Sequence, residues 1–203
     1  MVNITETDWA YLAGMIDGEG CLALFRHFQK KVTVTSSRGY ELEPRMSIAN
    51  MNQKNMEDIK QFLQLGNITK VVSHKDDEEG TPRIIYDLRF GPNNQRIILP
   101  KVLPYLRQKK ARAEIILELL KLRDEKKLSK QTKESKAILE IKYLELEKRM
   151  CESEIIEKPW ILTAKSRRGR RERLNISMPK RIQNIEDQIQ KLNGGISCSG
   201  ITA

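Results

Sequence analysis

The sequence is poor in cysteine and in long apolar segments, and each shortage excludes a class of protein. Its three cysteines, Cys21, Cys151 and Cys198, are odd in number and far apart, which fits neither a disulfide framework nor a zinc cluster. No apolar run approaches the roughly 18 residues that a membrane span requires. The N-terminal stretch MVNITETDW also lacks the basic-then-apolar pattern of a secretory signal. We therefore expect a soluble, intracellular protein, in a prokaryotic cytoplasm or inside an organelle.

Acidic residues are also in deficit. The chain has 37 Lys and Arg against 27 Asp and Glu, which gives a formal net charge of +10. Such an excess favours a polyanionic partner, with nucleic acid first and an anionic membrane surface second. The densest positive charge lies in KSRRGRRERLNISMPKR, residues 165–181, where eight Lys or Arg stand against one Glu. A folded core does not accommodate such a segment, so we expect it to contact the partner.

The spacing of apolar residues predicts an α+β fold with an antiparallel sheet. The first part of the chain has the order helix, hairpin, helix, hairpin, helix, helix. The first helix begins after Thr5 or Thr7 and runs to about Ile16. Turn-forming residues separate the predicted strands, which occupy 21–34, 40–50, 67–75 and 82–90. The rest is helical, which indicates a core at 1–125 and a helical C-terminal extension at 126–203, carrying the basic segment, within the same domain.

Alternation along the strands predicts which side chains face outward. In the second and fourth strands the outward residues are polar or charged: Glu43, Arg45, Ser47, Asp87 and Arg89. Their inward neighbours are apolar: Leu42, Met46, Ile48, Tyr86, Leu88 and Phe90. In the first strand, an inward Leu22 and Leu24 would also bury Arg26 and expose Phe25. We therefore expect a bulge or a change of parity in that strand.

The stretch LAGMIDGEG, Leu12 to Gly20, puts two carboxylates at the end of the first helix. The negative end of a helix disfavours each of them by about 0.3 to 1 kcal/mol unless a cation compensates. Carboxylate and carbonyl oxygens are the ligands that a hard divalent ion prefers. Gly18 and Gly20 would let the chain leave the helix with positive φ. Two interpretations stay open: Asp17 and Glu19 lie in a solvated turn, or the helix end holds a metal ion.

LAGMIDGEG resembles the signature of the LAGLIDADG homing endonucleases, with six of its nine residues identical. The stretch LPYLRQKKARAEIILELL, Leu103 to Leu120, is similar to the segment that brings a basic residue to the active site in single-motif members. KSRRGRRERLN is similar to their basic C-terminal loop. The resemblance covers about residues 5–192. It implies the LAGLIDADG fold: a four-stranded antiparallel sheet forming a DNA-binding saddle, helices packed on the other face, and extra C-terminal helices.

The function that the resemblance implies is site-specific cleavage of double-stranded DNA. The reaction would be Mg²⁺-dependent phosphodiester hydrolysis that promotes the mobility of an intron or intein. Because the motif occurs once, the resemblance implies a homodimer on a near-palindromic site, without a membrane partner. The expected dimer interface consists of Leu12, Ala13, Gly14 and Ile16. The alternatives are an RNA-binding maturase, whose partner is intron RNA, and a DNA-binding protein that has lost cleavage.

The resemblance also implies roles at the active site. Glu19 matches the metal-binding catalytic acid, the carbonyl of Gly18 is a further metal ligand, and Asp17 has a secondary role at the helix end. Lys109 matches the basic residue near the scissile phosphate, in competition with its neighbours in RQKKAR, and a solvated turn is the alternative. Asn50 matches the polar residue that positions the water network. Neither histidine is expected to act as a general base, so water is the expected proton acceptor.

Two groups of residues are expected to contact DNA. Strand residues would reach the bases: His27, Gln29, Lys31, Arg45, Ser47, Lys70, Lys75, Arg83, Asp87 and Arg89. Loop arginines would bind phosphates, which gives affinity and salt dependence without sequence information: Arg167, Arg168, Arg170 and Arg171. A ten-residue strand spans about 33 Å, close to one duplex turn, so each subunit could read roughly 10 base pairs. The alternative for each strand arginine is a solvated face.

Overall fold

The computed structural model describes residues 4–28, 40–73, 83–128, 133–157 and 178–199. Within these ranges the chain forms six helices and four strands. The helices are α1 (Glu6–Glu19), α2 (Gln53–Leu63), α3 (Pro92–Val102), α4 (Lys110–Leu128), α5 (Lys133–Glu157) and α6 (Met178–Ser199). The strands are β1 (Gly20–Phe28), β2 (Tyr40–Asn50), β3 (Asn67–Ser73) and β4 (Arg83–Phe90). The predicted order of elements and the α+β class are confirmed.

By its contacts the chain divides into two compact units, residues 1–120 and 121–203, and α4 crosses the boundary. The first unit contains the whole sheet with α1, α2 and α3. The second contains α5 and α6, which pack against each other. None of the helices in the described ranges has the length and apolar content needed to span a bilayer.

The four strands form one antiparallel sheet in the order β1-β2-β4-β3. One face of the sheet, the inner face, is packed by α1, α2 and α3. Its side chains are apolar and nearly all of their surface is removed from water: Leu22, Leu24, Leu42, Met46, Ile48, Leu88 and Phe90. The burial of this face is the main hydrophobic contribution to the stability of the unit. The predicted inward alternation of β2 and β4 is confirmed.

The first strand keeps a regular register, so the bulge expected there is wrong. β1 pairs with β2 without interruption from Gly20 opposite Ile48 to Phe28 opposite Tyr40. Arg26 therefore stays on the inner face, where its guanidinium lies 4.5 Å from the centre of the Tyr40 ring. Stacking on an aromatic ring lets an arginine lie at the edge of an apolar face without being desolvated. Phe25 correspondingly faces outward and is 46% exposed.

The middle of β2 contains a proline, which cannot donate to a strand ladder. β4 pairs with β2 only from Met46 to Asn50, so the ladder on that side stops before Pro44. Gln95 of α3, fully buried, continues it with its side-chain amide, whose Nε2 donates to the carbonyls of Pro44 at 3.2 Å and Phe90 at 2.7 Å. Gln95 thus satisfies two backbone groups that lie beyond the end of the paired strands.

Helix α1 begins where it was expected and ends later. Thr5 caps its first turn in a capping box with Asp8, but the helix continues to Glu19 instead of stopping at Ile16. The expected positive φ at the glycines is wrong, because Gly18 is helical and Gly20 has φ −80°. Gly20 is required for a different reason: a Cβ there would lie 2.5 Å from the carbonyl oxygen of Ile16. The absence of a side chain lets β1 start directly at the helix end.

In the second unit, charged side chains join α5 to α6. Glu147 is fully buried, and its Oε1 accepts hydrogen bonds from Arg181 Nε at 3.2 Å and Nη2 at 2.7 Å. Lys148 Nζ lies 2.7 Å from Glu186 Oε1, and this hydrogen bond raises the pKa of the lysine. The two helices are therefore held by paired charges as well as by apolar contacts.

Candidate active site and nucleic-acid interface

The carboxylate of Asp17 is bonded to the turn that precedes α4. Its oxygens accept hydrogen bonds from the backbone N–H groups of Arg107 at 2.7 Å, Gln108 at 3.3 Å and Lys109 at 2.9 Å. A carboxylate facing the free N–H groups at the start of a helix is stabilised by both hydrogen bonds and the helix dipole. Asp17 therefore ties the end of α1 to the turn that leads into α4, which fits the secondary role expected for it at the helix end.

The side chain of Lys109 in turn binds the end of α1. Its ammonium donates to the carbonyl of Ile16 at 3.0 Å and to that of Asp17 at 2.5 Å, and the residue is only 5% exposed. The cation that a helix ending in two acids requires is thus supplied by the chain itself. In this position Lys109 orients the helix end, and direct contact with a scissile phosphate stays a prediction. Its rivals Arg107 and Lys110 are both exposed.

The same turn contacts the beginning of α1. Tyr105 donates its hydroxyl hydrogen to Glu6 Oε1 at 2.7 Å, and this hydrogen bond raises the pKa of the Tyr105 phenol. The segment before α4 therefore touches α1 at its first turn through Tyr105 and at its last turn through Lys109. It fixes the direction in which the helix end points.

Glu19 differs from Asp17 in having no such partner. It is the last residue of α1, it is exposed, and no donor within the described ranges bonds to it. Gly18, also exposed, comes directly after the two carbonyls that Lys109 engages. A free carboxylate next to a backbone carbonyl fits a hard divalent ion. No group of three His, Cys, Asp or Glu side chains in those ranges could enclose one, so further ligands would come from water, DNA or a second subunit.

Asn50 lies at the same end of the sheet as this helix terminus. Gly20, the residue after α1, is paired with Ile48, two residues before the end of β2, so α1 and β2 end at the same end of the sheet. The Oδ1 of Asn50 accepts the backbone N–H of Asn52, the residue that caps α2, at 2.8 Å. The structure therefore brings Glu19, Lys109 and Asn50 to one end of the unit. The contribution of Asn50 to a water network stays a prediction.

The expected dimer interface needs correction. Leu12, Ala13 and Ile16 are 0, 0 and 1% exposed, because this side of α1 packs into the core of its own unit. They have no surface left for a partner. Of the four predicted residues only Gly14 is exposed. Apart from the backbone of α1, no atom of the described residues lies within 4 Å of a Cβ built on it.

The exposed side of α1 carries small residues, of which Gly14 was predicted for the dimer interface and Ala10 and Gly18 were not. Ala10, Gly14 and Gly18 recur every four residues and are all exposed. A spacing of four keeps residues on one face of a helix, and this regularity was the signal that could have identified the face. We call these three residues the small-residue face of α1.

The face of the sheet opposite α1, α2 and α3 is the outer face, formed by the side chains that alternate with the buried ones. Register assigns to it Cys21, Ala23, Phe25 and His27 of β1, Glu41, Glu43, Arg45, Ser47 and Ala49 of β2, and Asp87 and Arg89 of β4. As predicted, four of these side chains face outward: Arg45, Ser47, Asp87 and Arg89. His27 is exposed there, opposite Glu41.

Three of the predicted DNA-contacting residues are poorly placed for that role, because they lie on the inner face or are nearly buried. Lys70 pairs with Tyr86 and lies on the inner side of the edge strand β3, not on the outer face. Ser47 and Asp87 face outward but are only 4 and 6% exposed, which leaves them little surface for DNA. Ser47 lies between Arg45 and Ala49, the residue paired with Asp87. The side chains of Arg45 and Asp87 come within 3.4 Å of each other across it.

Some predicted contacts lie outside the described residues. These are Gln29, Lys31, Lys75, Arg167, Arg168, Arg170 and Arg171. Arg83 lies within them, exposed at the start of β4 opposite Ser73. The arginine-rich loop therefore stays a prediction from the sequence.

Comparison with known proteins gives a match in structure only. No protein-family model matches the sequence, and neither does any characterised protein compared with it by sequence. The homing endonuclease I-CvuI, in complex with its target and Ca, is similar with a TM-score of 0.56 and 17% identity over 93% of this chain and 96% of that chain. The archaeal intron-encoded homing endonuclease I-Vdi141I, complexed with DNA, has a TM-score of 0.57 and 16% identity over 93% and 98%.

These likenesses define the class of fold. The chain has the LAGLIDADG homing endonuclease fold, with a four-stranded antiparallel sheet and the motif helix packed on its inner face. The resemblance first seen in LAGMIDGEG is confirmed at the level of the fold.

Proposed function

We propose that this chain is a site-specific homing endonuclease that makes double-strand breaks in DNA by Mg²⁺-dependent phosphodiester hydrolysis. The fold supports a nuclease of this class. One observation carries the proposal further: of the two acids in LAGMIDGEG, Asp17 is fully engaged by backbone N–H groups, whereas Glu19 is exposed and has no donor in the described part of the chain. A fold that needed neither acid for chemistry would have no reason to orient one and leave the next one free.

The residues of the chain have distinct tasks in this reaction. Glu19 and the carbonyl of Gly18 would hold the ion, which when bound neutralises the phosphate and lowers the pKa of an attacking water. Asp17 and Lys109 fix the direction of the helix end by bonding it to the turn before α4. Holding the end of α1 in one direction before DNA arrives reduces the reorganisation needed to bring Glu19 into place in the transition state.

The active enzyme in this proposal is a homodimer on a near-palindromic site. The chain has one copy of the motif, and cleavage of both strands requires two acids. Two small-residue faces of α1 can approach closely because they lack bulky side chains, which would bring both copies of Glu19 near a two-fold axis. The outer faces of the two sheets would then bind one duplex. Cleavage of the rejoined host gene promotes mobility of the intron or intein that encodes the protein.

The test of catalysis uses the DNA that flanks this reading frame, rejoined without it. We expect the wild type to cut this duplex with Mg²⁺ and to leave it intact in EDTA. Glu19→Gln should lose at least 1,000-fold in cleavage rate, about 4 kcal/mol in activation free energy, with binding changed less than threefold in a gel-shift measurement. Glu114→Gln, the same change at an exposed position of α4, is the control and should cut normally.

Two outcomes would contradict the proposal. Intact duplex with the wild type and Mg²⁺, together with binding to the intron transcript, would favour the maturase. Equal cleavage by Glu19→Gln would exclude this acid from the chemistry.

The test of the dimer is Gly14→Leu. Gly14 is exposed and an added Cβ there meets nothing within 4 Å outside the backbone of α1, so we expect the variant to fold and melt normally. It should sediment as a monomer at concentrations where the wild type is a dimer, and it should nick or leave DNA uncut. Gly194→Leu on α6, where an added Cβ also meets nothing, is the matched control and should leave the dimer intact. A dimeric Gly14→Leu would show that another surface joins the subunits.

A further inference from the structure

The outer face was expected to carry side chains that are open to DNA. One of its carboxylates, that of Asp87, is instead nearly buried. The Asp87 side chain is only 8% exposed, and it lies between two arginines whose side chains are 42 and 48% exposed. Arg45 Nη2 is 3.4 Å and Arg89 Nε is 2.6 Å from Asp87 Oδ2. Burying a carboxylate on a surface that would bind a polyanion is costly unless it is paired. The pairing orients the two arginines, and the excess charge of the cluster stays positive.

The two arginines are left with different sets of free donors. Arg89 uses Nε for Asp87, and no protein atom in the described ranges bonds to its two Nη nitrogens. Its end-on pair of donors is therefore intact. Arg45 uses one hydrogen of Nη2 for Asp87, and its Cζ lies 5.3 Å from the centre of the Phe25 ring. Of the two arginines, only Arg89 has both Nη nitrogens free of protein partners within the described ranges, so its end-on donor pair points away from Asp87.

We propose that Arg89 recognises a guanine in the major groove and that Asp87 is a positioning residue that orients it. This inference rests on the proposed function, because it names a base in the target of the same protein. Two parallel N–H donors match the O6 and N7 acceptors that guanine alone presents together in the major groove. A carboxylate bonded to Nε holds the guanidinium plane, so less side-chain entropy is lost when the base binds. Asp87 itself makes no DNA contact.

The register also predicts where the guanine lies in the target. Arg89 is paired with Ser47, and Ser47 with Cys21, which comes two residues after Glu19. At about 3.3 Å per residue this is about 7 Å along the strand, or roughly two base pairs at 3.4 Å each. The guanine should therefore occupy the inner part of each half-site, close to the cleaved bonds, at symmetric positions in the dimer target.

The first experiment selects binding sites from duplexes with a randomised centre of about two helical turns, in EDTA, with the full-length protein. The wild type should enrich guanine at one symmetric pair of inner positions. Arg89→Lys keeps the charge but loses the donor pair, so it should reduce the preference for guanine at those positions about tenfold. The preferences elsewhere in the site should not change. Arg149→Lys, an exposed residue of α5, is the matched control and should select the wild-type site.

The second experiment changes the DNA instead of the protein. Replacing the selected guanine by 7-deazaguanine removes the N7 acceptor and should weaken wild-type binding about tenfold. It should cost Arg89→Lys less than twofold, because that variant no longer uses the acceptor. Asp87→Asn should fold with an unchanged circular dichroism spectrum and lose the guanine preference while keeping affinity for the best sites within about tenfold. If Asp87→Asn does not fold, the 7-deazaguanine result with wild-type protein decides the question.

The outcomes separate this inference from the proposed function. An enriched site without guanine at symmetric inner positions, or equal loss with 7-deazaguanine for wild type and Arg89→Lys, would overturn the role of Arg89 alone. Retention of the full guanine preference by a folded Asp87→Asn would overturn the role of Asp87. Failure to enrich any duplex would overturn both this inference and the proposed DNA target.

Discussion

The two ends of α1 are completed by different parts of the chain. At the first turn, Thr5 and Asp8 cap the helix between them: the backbone N–H of Thr5 donates to Asp8 Oδ2 at 2.8 Å, and that of Asp8 to Thr5 Oγ1 at 3.3 Å. At the last turn, the ammonium of Lys109 donates hydrogen bonds to the carbonyls of Asp17 and Ile16, which are 92 and 93 positions away in the sequence. The first end is a local structure, and the second exists only when α4 is in place.

The difference explains why a helix can end in two acids. Acidic residues suit the positive N-terminal end, where Asp8 lies, and are unfavourable at the C-terminal end unless a cation is near. The chain compensates with the buried ammonium of Lys109 and with hydrogen bonds from the turn before α4 to Asp17. Local rules are obeyed at the first turn of α1 and are violated at the end that carries Asp17 and Glu19, and tertiary contacts offset the cost there.

Removing the ammonium of Lys109 from the last turn of α1 should have the largest effect on stability. Lys109→Met fits the space but leaves the carbonyls of Ile16 and Asp17 without their charged donor, so we expect a loss of about 3 kcal/mol in the free energy of unfolding. This corresponds to a decrease of about 10 °C in Tm, measured by circular dichroism. Lys110→Met, at the exposed neighbouring position, should change stability by less than about 0.5 kcal/mol. Equal melting of the two variants would contradict the role given to the ammonium.

Neutralising Asp17, the acid that is bonded to the turn before α4, should have an intermediate effect on stability. Asp17→Asn keeps the shape but loses the charge and one acceptor, so we expect about 1.5 kcal/mol less stability in urea unfolding. Glu19→Gln is the matched change two residues later and should alter stability by less than about 0.5 kcal/mol while removing cleavage. A large stability loss in Glu19→Gln would show that this carboxylate has a structural partner after all.

The local end should give the smallest effect on stability, and this effect should disappear in acid. The Thr5 hydroxyl, followed by its backbone N–H, holds the pKa of Asp8 below the ordinary value of 3.8. A carboxyl whose pKa is lower in the folded state stabilises the protein above the unfolded pKa, and this contribution is lost as the pH falls through the folded value. Asp8→Asn should therefore melt slightly below wild type at pH 7, and the difference should shrink as the pH falls below 3.8. A difference that persists in acid would refute the proton linkage.

Most of the fold could be predicted because its signals are short-range. Alternation in β2 and β4 identified the buried face correctly, and the capping residues identified the start of α1. The errors came where a neighbour in space changed the outcome. The bulge expected in β1 was unnecessary because Tyr40, on the adjacent strand, stacks with Arg26. The dimer residues were misassigned because apolar spacing alone does not say whether a helix face meets its own core or a partner.

The sequence by itself determined the kind of protein: the motif, its single copy, the basic charge and the order of the elements. Tertiary structure alone decided which acid is free, since Asp17 and Glu19 are alike in sequence and differ only in what the turn before α4 offers each of them. It also decided that Asp87 is enclosed by charged partners, because the register brings Arg45 of β2 to the carboxylate that Arg89 of β4 also binds. The bonds from the turn before α4 to Asp17 and from Arg45 to Asp87 join segments distant in the chain, which no local pattern of residues encodes.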